Sequence, residues 1–214
     1  MDRIVSQKDG VGSYKEIDGS LYDGEFKNNM KHGTGKYSSA NDYYSSYEGQ
    51  YKFDQRHGDG HAWWNDGTSY IGEFENGNFH GQGIWTSSEG DVYRGDFENW
   101  YFSGYGTYSL SNGNYYEGNF IDDYYSGQGT YTLKDGATYE GNWEFDTMNG
   151  PGVFTFADGS KYEGMFESDD FHGKGLFVST DGTKYQGEWF KGSPTSRGMK
   201  ILTDGTISDE DWLS

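Results

Sequence analysis

Tyr162-Glu163-Gly164-Met165-Phe166, followed by His172-Gly173-Lys174-Gly175 and then Asp181-Gly182, is the stretch whose reading decides the fold. Its first five residues alternate with period 2, so Tyr162, Gly164 and Phe166 share one face of a strand. The intervening positions face the other way. Gly-x-Gly-x-aromatic, as in Gly127-Gln128-Gly129-Thr130-Tyr131, carries the same alternation into a second strand. Two same-face glycines are expected to leave a flat floor on which neighbouring rings can lie. Asp-Gly supplies the positive φ of a tight turn. One such stretch is therefore a β-hairpin.

The pattern repeats. Tyr22, Tyr47, Tyr70, Tyr93, Tyr116, Tyr139, Tyr162 and Tyr185 each open a unit; the first interval is 25 residues and the six that follow are 23. Gly stands two positions after each Tyr. Two further on is an aromatic: Phe26, Tyr51, Phe74, Phe97, Phe120, Trp143, Phe166 and Trp189. Gly-x-Gly follows in seven of the eight units, and seven close with Asp, Asn or Glu before Gly. Of the 35 glycines, only Gly77 and Gly192 lie outside this scheme. The chain thus divides into an N-terminal segment 1–9, an array 10–207 and an acidic tail 208–214. The array holds a half unit 10–21 and units starting at 22, 47, 70, 93, 116, 139, 162 and 185. A longer turn is expected in unit one, between Asn41 and Ser46. The expected fold is all-β: an elongated, single-layer, twisted antiparallel sheet of tandem β-hairpins, about seventeen strands, with an aromatic groove on one face.

Composition bounds the same answer from outside. Apolar residues make up only 32% of the 214 residues, which is thin for an enclosed core, while aromatics reach 19%, which is too many for a disordered chain. The formal charge of −19 argues against a sequence-independent grip on nucleic acid and disfavours anionic membranes. With no Cys there is no disulfide and no thiolate. No apolar run reads as a signal or a membrane span, so a cytoplasmic or cytoskeletal home is expected.

Tyr162-Glu163-Gly164-Met165-Phe166, His172-Gly173-Lys174-Gly175 and Asp181-Gly182, repeated in phase at this period, resemble the MORN repeat (membrane occupation and recognition nexus). The resemblance covers roughly residues 10 to 207. It implies a twisted antiparallel sheet with an aromatic groove. It also implies roles in scaffolding, dimerisation, protein capture and, in some members, membrane association. Small all-MORN proteins of this kind occur in ciliary radial spokes.

Catalytic and metal chemistry find little to work with. His32, His57, His80 and His172 recur in phase, but successive units lie roughly 10 Å apart, whereas the ligands of one metal lie ~2 Å from it. Acidic pairs such as Glu73 and Glu75, or Asp122 and Asp123, alternate on the outward face without the shaped site that paired-carboxylate catalysis needs. No cofactor or metal is expected.

One departure from the family pattern stands out. The residue before His-Gly-x-Gly is basic in units one and two, Lys31 and Arg56; units three to seven carry Phe79, Phe102, Tyr125, Met148 and Phe171. By parity these lean toward the aromatic face, and Trp100, Tyr101 and Tyr124 crowd the same hairpin ends. Two readings stay open: the residues extend the groove packing, or they form an apolar rim, bordered by acidic residues, that docks a partner. Unit eight, with Pro194, Ser196 and Lys200 at pattern positions, reads as a protective cap.

The expected function is a non-catalytic protein–protein interaction scaffold in a cytoskeletal assembly, with the resemblance pointing to the radial spoke head and the ciliary axoneme. The alternatives are a membrane- or phospholipid-associated MORN adaptor and a regulatory subunit of an enzyme supplied in trans. Expected partners are cytoskeletal or axonemal proteins with basic or amphipathic segments, and a second copy of the chain through an edge strand or the groove.

Overall fold

The computed structural model describes residues 9–40 and 44–208. The N-terminal segment up to residue 8, the start of the turn expected between Asn41 and Ser46, and the acidic tail after Ser208 lie outside the described residues. Contacts group the chain into two units, residues 1–106 and 107–214.

In the first unit the strands are β1 (Gly10–Lys15), β2 (Leu21–Lys27), β3 (Met30–Ser38), β4 (Tyr44–Lys52), β5 (Gln55–Trp64), β6 (Ser69–Glu75), β7 (Asn78–Thr86) and β8 (Val92–Glu98), after which β9 (Tyr101–Ser109) opens. In the second they are β10 (Tyr115–Ile121), β11 (Tyr124–Thr132), β12 (Thr138–Glu144), β13 (Thr147–Thr155), β14 (Lys161–Glu167), β15 (Asp170–Val178), β16 (Lys184–Phe190), β17 (Ser193–Ile201) and β18 (Ile207–Ser208). Every regular element among the described residues is a strand. Consecutive strands pair antiparallel, from β1 to β8 in the first unit and from β10 to β18 in the second. The two-residue β18 is the strand that repeat arithmetic leaves out.

Two kinds of turn alternate. At Asp-Gly the loop has three residues, as in Ile17-Asp18-Gly19. There the Gly19 N–H donates to the Glu16 carbonyl at 3.0 Å and the Ser20 N–H to the Asp18 carboxylate at 2.9 Å. The other turn has two residues, both at positive φ, which is the type I′ geometry that matches strand twist. Asn28 and Asn29 form it at 52° and 61° in unit one, and Asn76 and Gly77 at 51° and 89° in unit three. Gly77 and Gly192, the two glycines outside the sequence scheme, are the second residues of such turns.

The expected floor of two same-face glycines needs correction. Gly24 pairs with Gly35 and Phe26 with Lys31, so Glu25 alone stands opposite His32, Gly33 and Thr34. The first glycine of Gly-x-Gly therefore sits in a β-bulge, with Gly33 at φ 60°, and not in the floor. The Glu25 carboxylate lies over the bulge and accepts the Thr34 N–H and hydroxyl, both at 2.8 Å. These two bonds hold its pKa below the usual carboxylate value. Because the bulge adds two residues, parity survives, and position 31 still faces the aromatic side.

The floor is made instead by glycines paired across strands. A Cβ on Gly35 would lie 2.3 Å from the Tyr22 hydroxyl, and one on Gly24 would lie 2.6 Å from it. Seven opening tyrosines, from Tyr22 to Tyr162, are fully buried over such pairs. Each donates its hydroxyl to the carbonyl three residues on, at 2.8–3.1 Å. Burial of the rings supplies the apolar stabilisation, and the hydroxyl bond removes the cost of an unsatisfied buried group. Within a unit the Tyr and the following aromatic meet edge to face at 5.0–5.3 Å. Tyr22, Tyr47 and Tyr70 in the first unit, and Tyr116, Tyr139 and Tyr162 in the second, also meet the aromatic of the following repeat at 4.8–5.5 Å. Within each unit the stacked hairpins share an aromatic zigzag, the nearest-neighbour burial on which repeat arrays depend.

Candidate functional site: the aromatic tier and the hairpin tips

The residue before His-Gly-x-Gly lies directly over the buried Tyr of its own unit. Lys31 Nζ sits 5.2 Å from the Tyr22 ring centre and Arg56 Cζ 5.7 Å from that of Tyr47. Where the position is aromatic, a cation–π contact becomes a parallel stack: Phe79 on Tyr70 at 3.7 Å, Phe102 on Tyr93 at 3.8 Å, Tyr125 on Tyr116 at 3.8 Å and Phe171 on Tyr162 at 3.9 Å. Met148 pairs with Trp143 across the hairpin. The preceding hairpin supplies a matching neighbour. Glu16 forms an ion pair with Lys31 at 3.0 Å, whereas Trp64 meets Phe79 at 5.9 Å and Phe156 meets Phe171 at 6.1 Å. Phe79 is buried, and Phe102, Tyr125, Met148 and Phe171 are half-buried. The structure thus makes Phe79 and Phe102 in the first unit, and Tyr125 and Phe171 in the second, a second tier of internal packing. Tyr37 and Trp85 in the first unit, and Tyr131, Phe154 and Phe177 in the second, are half-buried as well.

Large apolar side chains are exposed at the type I′ tips, as Ile17, Val11 and Tyr105 are elsewhere. Trp100, Tyr101 and Tyr124 are 40%, 49% and 46% exposed, and so are residues the sequence reading passed over: Phe53 at 55%, Ile121 at 59%, Phe145 at 68% and Phe190 at 56%. Phe53, Trp100 and Phe145 hold positive φ, at 52°, 81° and 47°. That region costs a residue with a side chain roughly 1–2 kcal/mol, and a bulky one is a genuine outlier there. Sister turns place Asn, Asp, Ser, Lys or Gly at these positions, as at Asn28, Asn99, Asp122, Ser168, Lys191 and Gly77. Aligning the eight two-residue turns would have exposed the anomaly in the sequence, but only once those turns had been located. Trp100 is held by its Nε1–H, which donates to Asn78 Oδ1 at 2.7 Å, and by ring contact with Phe79 at 4.5 Å.

The polar groups are engaged locally. His172 Nδ1 lies 3.0 Å from Glu167 and His80 Nε2 lies 3.6 Å from Glu75. His61 stacks on Trp63 at 3.5 Å, and burial pushes its pKa down. Glu73 and Asp96 cap bulges as Glu25 does, accepting the Gln82 and Tyr105 N–H groups at 3.0 and 3.3 Å. Among the described residues no group of three or more His, Asp or Glu is arranged to hold a metal ion. No helix of the described residues is long and apolar enough to cross a membrane.

Tandem hairpins with a shared aromatic core and apolar side chains presented at their tips define a repeat-built interaction module. The chain belongs to the MORN repeat family, whose model matches residues 22–42, 47–69, 70–92, 93–115, 116–138, 139–161, 162–184 and 185–207. An array of this family is a module for interaction with proteins or membranes. No curated protein matches the chain. Among solved structures it is similar to the TCP domain of SAS-4 (dCPAP) of Drosophila melanogaster, in complex with a proline-rich motif of Ana2 (dSTIL). That likeness has 10% identity, covers 97% of this chain and 96% of the other, and has a TM-score of 0.45. The TCP10 domain of Danio rerio CPAP is 13% identical, with 96% and 91% covered and a TM-score of 0.29. A virginiamycin B lyase from Staphylococcus aureus is 12% identical, with 97% and 71% covered and a TM-score of 0.20.

Proposed function

We propose that this chain is a non-catalytic scaffold that binds partner proteins through the aromatic side chains at its type I′ hairpin tips, Trp100, Tyr101 and Tyr124 among them. Phe79, Phe102, Tyr125, Met148 and Phe171 support those tips from beneath. The observation that carries the reading is the placing of bulky, exposed rings at Phe53, Trp100 and Phe145 in backbone conformations that disfavour them. Strain of that kind persists where function requires the side chain. The setting we propose is a cytoskeletal assembly, with a radial spoke head as its particular form; co-sedimentation with the detergent-insoluble cytoskeleton of the native source is the expected behaviour.

The test is affinity purification from that source with wild-type chain and with Trp100→Gly, Tyr101→Asn and Tyr124→Thr combined. Sister tips carry Gly77, Asn78 and Thr147 at these positions, so the fold should survive. Associated proteins should be lost with unchanged circular dichroism. Recovery of the same proteins at the same yield would sink the reading. Phe102→Asp or Tyr125→Asp is unsuitable for this purpose, since each would press a carboxylate against a buried Tyr ring.

A further inference from the structure

In the second unit the tips of hairpins β10–β11 and β12–β13 lie side by side. Tyr125 N–H donates to Asp146 Oδ1 at 2.7 Å, and Asp146 N–H returns a bond to the Tyr125 carbonyl at 3.2 Å. Ile121 and Tyr124 face each other across the first tip, and the Tyr124 ring meets Phe145 of the second edge to face at 5.8 Å. Three exposed apolar side chains from two hairpins therefore form one patch. The fold does not ask for it. The positions of Ile121, Tyr124 and Phe145 are filled in the next hairpin, β14–β15, by Glu167, Asp170 and Ser168.

The surroundings have one sign. Asp122, Asp123, Glu144 and Asp146 flank the patch and are exposed. Lys134 is the only Lys or Arg between Arg94 and Lys161. It lies at the opposite end of its hairpin, in the Asp-Gly turn, where its N–H bonds Asn114 Oδ1 at 3.0 Å. An apolar patch ringed by carboxylates is complementary to an apolar anchor flanked by cations. The same charge opposes an anionic membrane and a second copy of a chain carrying −19.

We propose that Ile121, Tyr124 and Phe145 are the docking site for a basic amphipathic segment of a partner protein, in which Leu or Phe anchors are flanked by Lys or Arg. This rests on the scaffold reading above and names the chemistry of one of its sites. The apolar anchor seats against Tyr124 and Phe145, and the flanking cations meet the tip carboxylates.

The experiment uses the full chain and three fluorescent synthetic peptides: Lys-flanked Leu/Phe anchors, the same anchors flanked by Glu, and Lys without anchors. Anisotropy should report binding of the first alone, weakening as salt is raised. Phe145→Asn and Tyr124→Thr should each weaken it by about tenfold or more, as loss of an aromatic anchor does. Asn fits the positive φ of a type I′ turn better than Phe, so Phe145→Asn should also raise the urea midpoint, which separates lost binding from lost fold. Equal affinity of wild type and both variants, or equal binding of the Glu-flanked peptide, overturns the proposal. So does Phe145-dependent binding to phosphatidylserine vesicles, or a dimer in sedimentation that Phe145→Asn abolishes. Failure here, with co-purifying proteins still dependent on Trp100 and Tyr101, leaves the scaffold reading standing. If no tip variant releases any protein, the scaffold reading itself fails.

Discussion

Replacing Gly129 by Ala isolates the contact on which each hairpin is built. The added Cβ would lie 2.2 Å from the Tyr116 hydroxyl oxygen and 2.5 Å from the ring carbon bearing it. Ordinary contact between such atoms is about 3.5–4 Å, so the ring must move by more than an ångström. It has nowhere free to go, because Tyr125 stacks on it at 3.8 Å and Trp143 meets its edge at 5.5 Å. Movement also breaks the hydroxyl bond to the Asn119 carbonyl, which is 3.0 Å long. Overpacking costs about 1–3 kcal/mol and the lost bond about 1 kcal/mol, giving an expected destabilisation of about 2–4 kcal/mol. That estimate runs against the intrinsic gain of about 0.5–1 kcal/mol from Ala over Gly in a strand. Urea unfolding followed by both tryptophan fluorescence and circular dichroism measures it, and coincidence of the two curves checks that the array unfolds as one. In a Tyr116→Leu background the same substitution should cost less than about 0.5 kcal/mol, because the obstructing atoms are gone. A Gly129→Ala cost below about 0.5 kcal/mol, or an equal cost in both backgrounds, would refute the reasoning.

Alkaline pH should unfold the chain sharply. Burial above all pushes the Tyr22, Tyr139 and Tyr162 hydroxyls up to about 12 from 10.0, and Tyr47, Tyr70 and Tyr125 higher still. A pKa raised by folding leaves stability intact below pH 10 and removes it as pH climbs from 10 through 12. Tyrosinate absorbance should therefore rise in a step that coincides with loss of circular dichroism. Lys31→Phe alone strands the Glu16 carboxylate and should cost about 1 kcal/mol, while adding Glu16→Leu should return stability to within about 0.5 kcal/mol of wild type. A double-mutant cycle in urea reads the coupling. Phe53→Asn should gain about 1 kcal/mol by relieving the turn at φ 52°, and an unchanged or lowered midpoint would argue against strain there.

The repeat units, the facing of Tyr22 or Phe26, and the Asp-Gly turns follow from spacing, because strand parity and turn chemistry are local. The bulge does not. Gly33 and Gly35 look equivalent in the sequence, and only cross-strand register separates a glycine that yields to the Tyr22 ring from one covered by the Glu25 carboxylate. The type I′ tips were hidden for a related reason. Their residues vary from Asn28-Asn29 to Phe145-Asp146, so no shared motif marks them, and their geometry is imposed by the strands on either side.

The rim residues mark the boundary between the two levels. That Phe79, Phe102, Tyr125, Met148 and Phe171 point to the aromatic side was decided by alternation alone. Whether they would meet solvent or a ring was not, because it depends on the Tyr beneath and the neighbour supplied by the preceding hairpin. Tertiary packing buried Phe79, covered part of each of the other four, and left Trp100, Tyr101, Ile121, Tyr124 and Phe145 exposed. By itself the sequence determined the repeat, the family and the faces of the strands, all set by contacts a few residues apart. Which aromatics stay exposed is settled by packing between successive hairpins, a distance over which local pattern carries no information.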